Sequence, residues 1–224
     1  MAYAGTCKYL ESNSRPLVSF VYLNLAYLDF INESANEMVF TTILHEMIHT
    51  LGFSSSYLGY FYDRENKISR KYSDVVESSL DYPIRIKSPL LKSWVNEHLG
   101  CNEDLSVPLE NVANEASMGS HFEALILGNE LMNPSAFYNT QYTGAITAYI
   151  DSMGFFKSKL PKDKMDETLV WGYKAGCDVL RDSQTCESSP MTCKKNGFVC
   201  STDHFSIGFC RTDHLNIPDP YTNC

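Results

Sequence analysis

The sequence predicts an α+β fold that is followed by the start of a cysteine-rich, disulfide-linked C-terminal domain, and three observations support this prediction. The run Leu17 to Leu23 is apolar apart from Ser19 and is rich in residues that favour strands, so we expect a buried strand there. Apolar residues then recur at helical spacing between Val39 and Leu51. Five of the eight cysteines lie between Cys186 and Cys224, which is typical of a region held together by disulfides.

Local signals bound the first helix and place a second one. Residues 34 to 37 read Ser-Ala-Asn-Glu, a capping-box pattern that predicts a helix start. Gly52 is placed to end that helix. Residues 63 to 67 are charged and predict an exposed loop, and a second helix is expected near residues 143 to 153.

Within the first helix, residues 45 to 49 read His-Glu-Met-Ile-His. A spacing of four residues on a helix returns His49 to within roughly 40° of His45 and about 6 Å along the axis, so both imidazoles can bind one metal ion. Glu46 lies beside them, where its carboxylate can take a proton from metal-activated water without being a ligand. An amphipathic helix that happens to contain two histidines is the alternative, but this pattern is rare by chance.

A catalytic zinc site needs a third protein ligand, and four histidines remain as candidates: His98, His121, His204 and His214. In the short metzincin pattern a histidine follows the glycine at position 52 by three residues, but that position holds Ser55. The third ligand must therefore come from elsewhere in the chain. We favour His121, because it lies in a Gly-Ser-His sequence and Met132 follows it by eleven residues.

The other three histidines are weaker candidates. His98 closely precedes Cys101 and, unlike His121, has no methionine eleven residues after it. His204 and His214 lie in the cysteine-rich end of the chain and are predicted to be surface residues.

These motifs and their order resemble leishmanolysin, the metzincin subfamily in which a long insertion separates the second and third histidines and a Met-turn follows the third. The resemblance continues through other landmarks in family order: Arg15-Pro16 with the apolar run to Asn24, residues 97 to 101, residues 148 to 155, and residues 171 to 177. Together the landmarks span most of residues 7 to 210.

The resemblance implies a metzincin-like zincin catalytic unit with a mixed sheet and an active-site helix. It implies one catalytic Zn²⁺, with Glu46 as the catalytic base, Met132 in an apolar turn beneath the metal, and three zinc ligands: His45, His49 and His121. The implied activity is that of a zinc metalloendopeptidase, which hydrolyses protein or peptide substrates with zinc-activated water. The resemblance also suggests a disulfide between Cys101 and Cys177, with Cys7 left unpaired.

Three regions are expected along the chain. Residues 1–54 supply a strand and the histidine-bearing helix, and residues 55–176 supply the long insertion, the third ligand and the Met-turn. Residues 177–224 are interpreted as the start of a disulfide-linked C-terminal domain. The cysteine spacings in this last region contain no C-x-x-C pair, so disulfides are favoured over a second zinc site.

Composition restricts the partners and the location. A net charge of −9 argues against nucleic acid or an anionic membrane as a partner, and the best apolar run is too short to span a bilayer. Residues 1 to 7 do not form a secretory signal, yet the cysteines suit an oxidising compartment. We therefore expect a truncated chain that is secreted or at the cell surface in its complete form.

Two alternatives to a working peptidase stay open. One is a catalytically silent surface or adhesion module that keeps the scaffold. Retention of Glu46 weighs against it, because a scaffold has no structural need for a general base. The other is a truncated fragment that does not fold.

Overall fold

Helices and short antiparallel strands alternate along the chain in a computed structural model that describes residues 2–24, 26, 33–111, 117–135, 139–159, 169–181, 197–200 and 207–210. The helices are α1 Glu33–Thr50, α2 Tyr72–Val75, α3 Pro89–Leu99, α4 Ala124–Leu127 and α5 Gly144–Met153. The strands are β1 Ala2–Tyr9, β2 Pro16–Leu23, β3 Tyr62–Asp63, β4 Ile68–Ser69, β5 Val76–Glu77, β6 Arg85–Ile86, β7 Val107–Pro108, β8 Gly197–Cys200 and β9 Ile207–Cys210.

This mixture of helix and strand confirms the α+β class. Within the described residues the strands form four small sheets, ordered β1-β2, β3-β4, β5-β6-β7 and β8-β9. Every ladder between these strands is antiparallel, so the mixed sheet that the resemblance implies is not seen there. The predictions for His204 and His214, and most of the cysteine-rich region, lie outside the described residues.

The N-terminal hairpin contains the predicted strand but corrects its burial. β2 pairs with β1, with Gly5 opposite Phe20. The expected burial of β2 is wrong, since Val18 and Tyr22 are about half exposed. The reason is that the described part of this sheet has two strands only, and α1 is the helix that packs against both of them.

Helix α1 carries the His-Glu-Met-Ile-His motif. It begins at Glu33, one residue before the position that the capping box indicated, and ends at Thr50. Gly52 then adopts a φ of +107°, which a residue with a side chain rarely takes, and its N–H donates to the His49 carbonyl at 2.9 Å. The predicted helix end is confirmed.

The segment after α1 contains further predicted features. The turn of residues 64–67 joins β3 to β4 and is exposed, as expected. Helix α5 occupies the region predicted near residues 143 to 153 and packs against α3. Thr143 caps α5, because its hydroxyl accepts from the Ala145 N–H at 3.2 Å.

Aromatic packing in the core brings two distant segments together. Phe53 stacks on Tyr149 with ring centroids 3.9 Å apart and meets Phe122 edge-on at 4.9 Å. All three side chains are buried. Phe53 follows His49 by four residues and Phe122 follows His121 directly, so burial of these rings, at about 1.5–3 kcal/mol each, holds the two histidine segments side by side.

A second region ties the end of α3 to residues 171–177, and we call these two segments together the anchor region. A disulfide joins Cys101 to Cys177, whose Cα atoms are 5.7 Å apart. The Lys174 N–H donates to the His98 carbonyl at 2.9 Å. Cys7, on β1, is an exposed free cysteine.

Candidate metal centre and active site

Three histidines converge on one point of the structure. His45 and His49 come from successive turns of α1, and His121 comes from the loop before α4. The Nε2 atoms of His45 and His49 are 3.0 Å apart. One ligand atom from each of the three rings can be chosen so that all lie within 4.8 Å of one another. The structure therefore groups the three predicted ligands.

Each of these imidazoles is oriented by a backbone carbonyl. The Nδ1 atom of each ring lies near a carbonyl oxygen: 2.7 Å from Leu131 for His45, 2.6 Å from Phe53 for His49, and 3.1 Å from Ser117 for His121. A carbonyl oxygen only accepts, so Nδ1 carries the proton and donates in each ring. The Nε2 atoms of the neutral rings then present lone pairs to each other, and a cation between them would relieve their repulsion.

Burial keeps the three rings neutral. Burial, helped by the nearby His49, lowers the pKa of His45 to about 4. Burial likewise lowers the pKa of His121 to about 3 and lowers the pKa of His49. Metal ligands must be unprotonated, so the rings are ready to bind a cation at neutral pH.

The donor set fits zinc. Zn–N distances of 2.0–2.1 Å in a tetrahedral site correspond to N···N separations of about 3.3 Å. The Nε2 atoms of His45 and His49 lie close to this separation, and the three-ring group is compact enough to adjust to it. Three imidazoles also leave a fourth position for water or substrate.

Glu46 lies in the wall of the same cavity as the histidines. Its side chain is buried, with 6 % of its surface exposed, and its Oε2 atom has no hydrogen-bond partner among the described residues. Burial raises the pKa of Glu46 to about 7. The Glu46 carboxyl group therefore borders the same cavity as the three histidines but is not one of the candidate metal ligands.

Met132 lies in a buried turn directly behind the His121 segment. Its side chain is completely buried, and its carbonyl accepts from the Phe122 N–H at 3.0 Å. Its own N–H donates to Oε2 of the fully buried Glu130. The preceding carbonyl, that of Leu131, is the partner of His45. The turn thus contacts the segment of one histidine and orients the ring of another.

The cavity at the three histidines has a volume of about 740 Å³. Five consecutive residues of β1, Ala2 to Thr6, line it. Side chains alternate between the faces of a strand, so a run of consecutive residues means that the backbone edge of β1 borders the cavity. Within the described residues β1 pairs with β2 alone, which leaves this edge without a strand partner.

His98 and the Cys101–Cys177 disulfide lie away from the cavity. His98 is buried in the anchor region, where its Nε2–H donates to the Trp171 carbonyl at 2.7 Å and its ring stacks on Trp94 at 5.1 Å. The Cys101–Cys177 disulfide is also in the anchor region and contributes nothing to the cavity lining.

Sequence reasoning missed the three carbonyl groups and the β1 edge. Backbone atoms have no residue signature, although Phe53, Ser117 and Leu131 each lie within four residues of a motif residue. A search for carbonyls one helical turn from each candidate ligand would have found Phe53 and Ser117.

The fold and site together define an α+β protein with a candidate three-histidine metal centre, in which two histidines come from its longest described helix and the third from a loop. The family model for leishmanolysin matches residues 1–223, and the chain belongs to the leishmanolysin family.

Several curated relatives align with most of the chain. Leishmanolysin from Leishmania donovani is 28 % identical over 98 % of this chain and 36 % of its own length. The leishmanolysin homolog from Crithidia fasciculata is 27 % identical over 98 % of this chain and 33 % of its own. A leishmanolysin-like peptidase from Caenorhabditis elegans is 25 % identical over 82 % and 32 %. The chain therefore spans about a third of the length of these relatives.

Proposed function

We propose that this chain is a zinc metalloendopeptidase that hydrolyses peptide bonds in protein or peptide substrates. The observation that carries the proposal is the convergence of the three histidine rings, each with Nδ1 on a backbone carbonyl, at a cavity that also contains the buried Glu46 carboxyl. Membership of the leishmanolysin family supports it, because relatives in that family are named peptidases.

Each site residue has a distinct role in this proposal. His45, His49 and His121 hold one Zn²⁺ through Nε2. When bound, the ion supplies a Lewis acid that polarises a peptide carbonyl and acidifies water. Glu46 takes the proton from the attacking water and returns it to the leaving amine. Met132 supplies an apolar floor, and its turn fixes the ring of His45 through the Leu131 carbonyl.

The β1 edge provides a place for the substrate backbone. An extended peptide can add to a free strand edge through main-chain hydrogen bonds, and the β1 edge runs along the same cavity as the histidines. We propose that the substrate pairs with β1, which would place its scissile carbonyl beside the three histidines and Glu46. The net charge of −9 makes nucleic acid an unsuitable ligand.

We place the complete protein outside the cell or at its surface, because the cysteine-rich region suits an oxidising compartment. No helix within the described ranges is both long and apolar enough to cross a bilayer.

The test is to express the full 224-residue chain and to measure zinc content and casein cleavage with and without a chelator. We expect Glu46→Gln to bind zinc but to lose about 10²- to 10⁴-fold in cleavage rate, since the amide keeps the shape of the side chain and cannot accept the proton. Glu37→Gln is the matched control, because Glu37 is an exposed glutamate on the same helix, and it should cleave casein normally.

Other outcomes discriminate the alternatives. A folded chain that binds zinc and cleaves nothing, with or without Glu46→Gln, is the silent surface or adhesion module. A chain without a cooperative unfolding transition is the non-functional fragment. Undiminished cleavage by Glu46→Gln removes that residue from the mechanism.

A further inference from the structure

A long insertion separates His49 from His121, the third histidine of the candidate metal centre. Two serines at the ends of this insertion contact each other. Ser55 closely follows the His49 turn, and Ser120 directly precedes His121. These serines are 65 positions apart in sequence. Ser55 also occupies the position at which the short metzincin pattern has its third histidine.

Two hydrogen bonds join these serines. The Ser55 N–H donates to the Ser120 Oγ at 3.0 Å, and the Ser120 hydroxyl donates back to the Ser55 Oγ at 3.2 Å. Ser55 is the first residue of a 3₁₀ turn that ends at Tyr57, and the preceding Ser54 makes no side-chain cap to this turn. The hydroxyl of Ser120, a buried residue, therefore binds an N–H that the turn itself leaves unsatisfied.

The neighbouring glycine permits this close approach. Gly119 has a φ of +71°, and a Cβ atom on it would lie 2.5 Å from the Ile84 Cδ1 atom and 3.3 Å from the Ser55 Cβ atom. A larger residue would be strained at this φ and would push the Ser120 segment away from Ser55.

The other side of the segment is held by backbone pairing. The Glu110 N–H donates to the His121 carbonyl at 3.0 Å, and the Gly119 N–H donates to the Glu110 carbonyl at 2.9 Å. The His121 backbone is thus paired with residue 110, and the adjacent Ser120 side chain is bonded to Ser55. Both attachments act on the residues that set the position of the His121 ring.

We propose that Ser55 and Ser120 form a clamp that seats His121 at the metal centre. Ser55 is then a positioning residue: in place of a ligand side chain it provides the docking point for the loop that carries the ligand. This inference rests on the proposed zinc-binding function of the site.

The test measures zinc release from the full chain to a colorimetric chelator. Ser120→Ala removes both hydrogen bonds and should speed zinc release about 10-fold, the lower end of the range for groups that support metal ligands. Ser55→Ala leaves its N–H donating to Ser120 and should speed release roughly threefold. The double variant should release zinc no faster than Ser120→Ala alone, because both changes remove the same hydroxyl–hydroxyl contact.

Ser54→Ala and Ser56→Ala are matched controls, since these residues flank Ser55 and their hydroxyls are 3.0 Å apart in an exposed pair. They should release zinc at the wild-type rate, and Ser55→Thr should restore it because it keeps the hydroxyl. The melting temperature of the metal-free chain separates seating of His121 from a general loss of stability. A general loss would lower that temperature in proportion to the change in zinc release.

The clamp is refuted if Ser120→Ala and Ser55→Ala release zinc as slowly as Ser54→Ala, or if all the alanine variants lose zinc equally. If Ser120→Ala does not fold, the comparison of Ser55→Ala with Ser54→Ala decides the matter. Absence of zinc from the wild-type chain would instead overturn the proposed function, and the clamp with it.

Discussion

The metal centre and the anchor region both bury histidine rings, but they use them differently. In each region a ring nitrogen donates to a backbone carbonyl, and burial lowers the histidine pKa. At the metal centre, the donating atom is Nδ1 in all three rings, and the Nε2 atoms of His45 and His49 lie 3.0 Å apart. In the anchor region, His98 donates through Nε2 and stacks on Trp94.

If the proposed ligand assignment holds, burial and a lowered pKa do not by themselves identify a metal ligand. The distinguishing feature is that ring-nitrogen lone pairs of several histidines converge on one point, with no N–H group among them to donate a hydrogen bond. His98 uses its Nε2 atom in a structural hydrogen bond, whereas the other three rings leave Nε2 available. Its ring helps to hold residues 171–177 against α3, at a distance from the chemistry that we propose.

The largest effect that tests this distinction is the loss of zinc from His121→Ala. Removing a ligand should weaken zinc binding by more than about 10- to 100-fold, which is the typical effect of mutating a residue that hydrogen-bonds to a ligand. His98→Ala should keep its zinc and lose stability instead, because it breaks the bond to Trp171 and the stacking on Trp94. Metal analysis of both purified variants at neutral pH measures the contrast.

His98→Gln is the matched control for the second variant, since its amide can still donate to the Trp171 carbonyl. Zinc loss from His98→Ala together with zinc retention by His121→Ala would reverse the assignment of the two histidines.

The parts of the metal centre differ in how far the sequence predicts them. His45, Glu46 and His49 follow from helical spacing, because one regular element fixes their geometry. His121 required a family resemblance, since no local rule says where a chain returns after 72 positions. The serine clamp, the carbonyl partners and the β1 edge depend on contacts that form only in the folded chain, most of them with a backbone group, and these leave no residue pattern. The apolar run of β2 predicted a strand correctly but not its burial, because burial depends on what packs against the sheet.

A smaller effect is expected from the Cys101–Cys177 disulfide of the anchor region. Crosslinking across 76 positions restricts the unfolded chain and should stabilise the fold by about 4 kcal/mol on the chain-entropy model. Peptide mapping under non-reducing conditions should recover a peptide pair that joins these two cysteines. Cys101→Ser should then unfold at a lower denaturant concentration, whereas Cys7→Ser, at an exposed free cysteine, should not.

A peptide that links Cys101 to Cys186 would mean that the insertion is anchored to the cysteine-rich end instead. In that case Cys101→Ser would still lower the stability of the fold. Only the peptide mapping therefore identifies the partner of Cys101.

The smallest effect expected is the pH dependence that His98 gives to the anchor region. Burial lowers the pKa of His98 below 6.5, although the hydrogen bond to the Trp171 carbonyl raises it in part. As the pH falls below about 6.5, the unfolded chain therefore gains a proton on this residue before the folded chain does. The stability that neutral His98 contributes is present above that pH and is lost as the pH falls towards the folded pKa.

His98→Gln cannot titrate, so the free energy of unfolding of the wild type minus that of the variant should decrease between pH 7 and pH 5. Urea unfolding of both metal-free proteins measures this difference, in which the identical contributions of His45, His49 and His121 cancel. A difference that stays constant across this range would show that His98 titrates normally in the fold and that the anchor region does not keep it neutral.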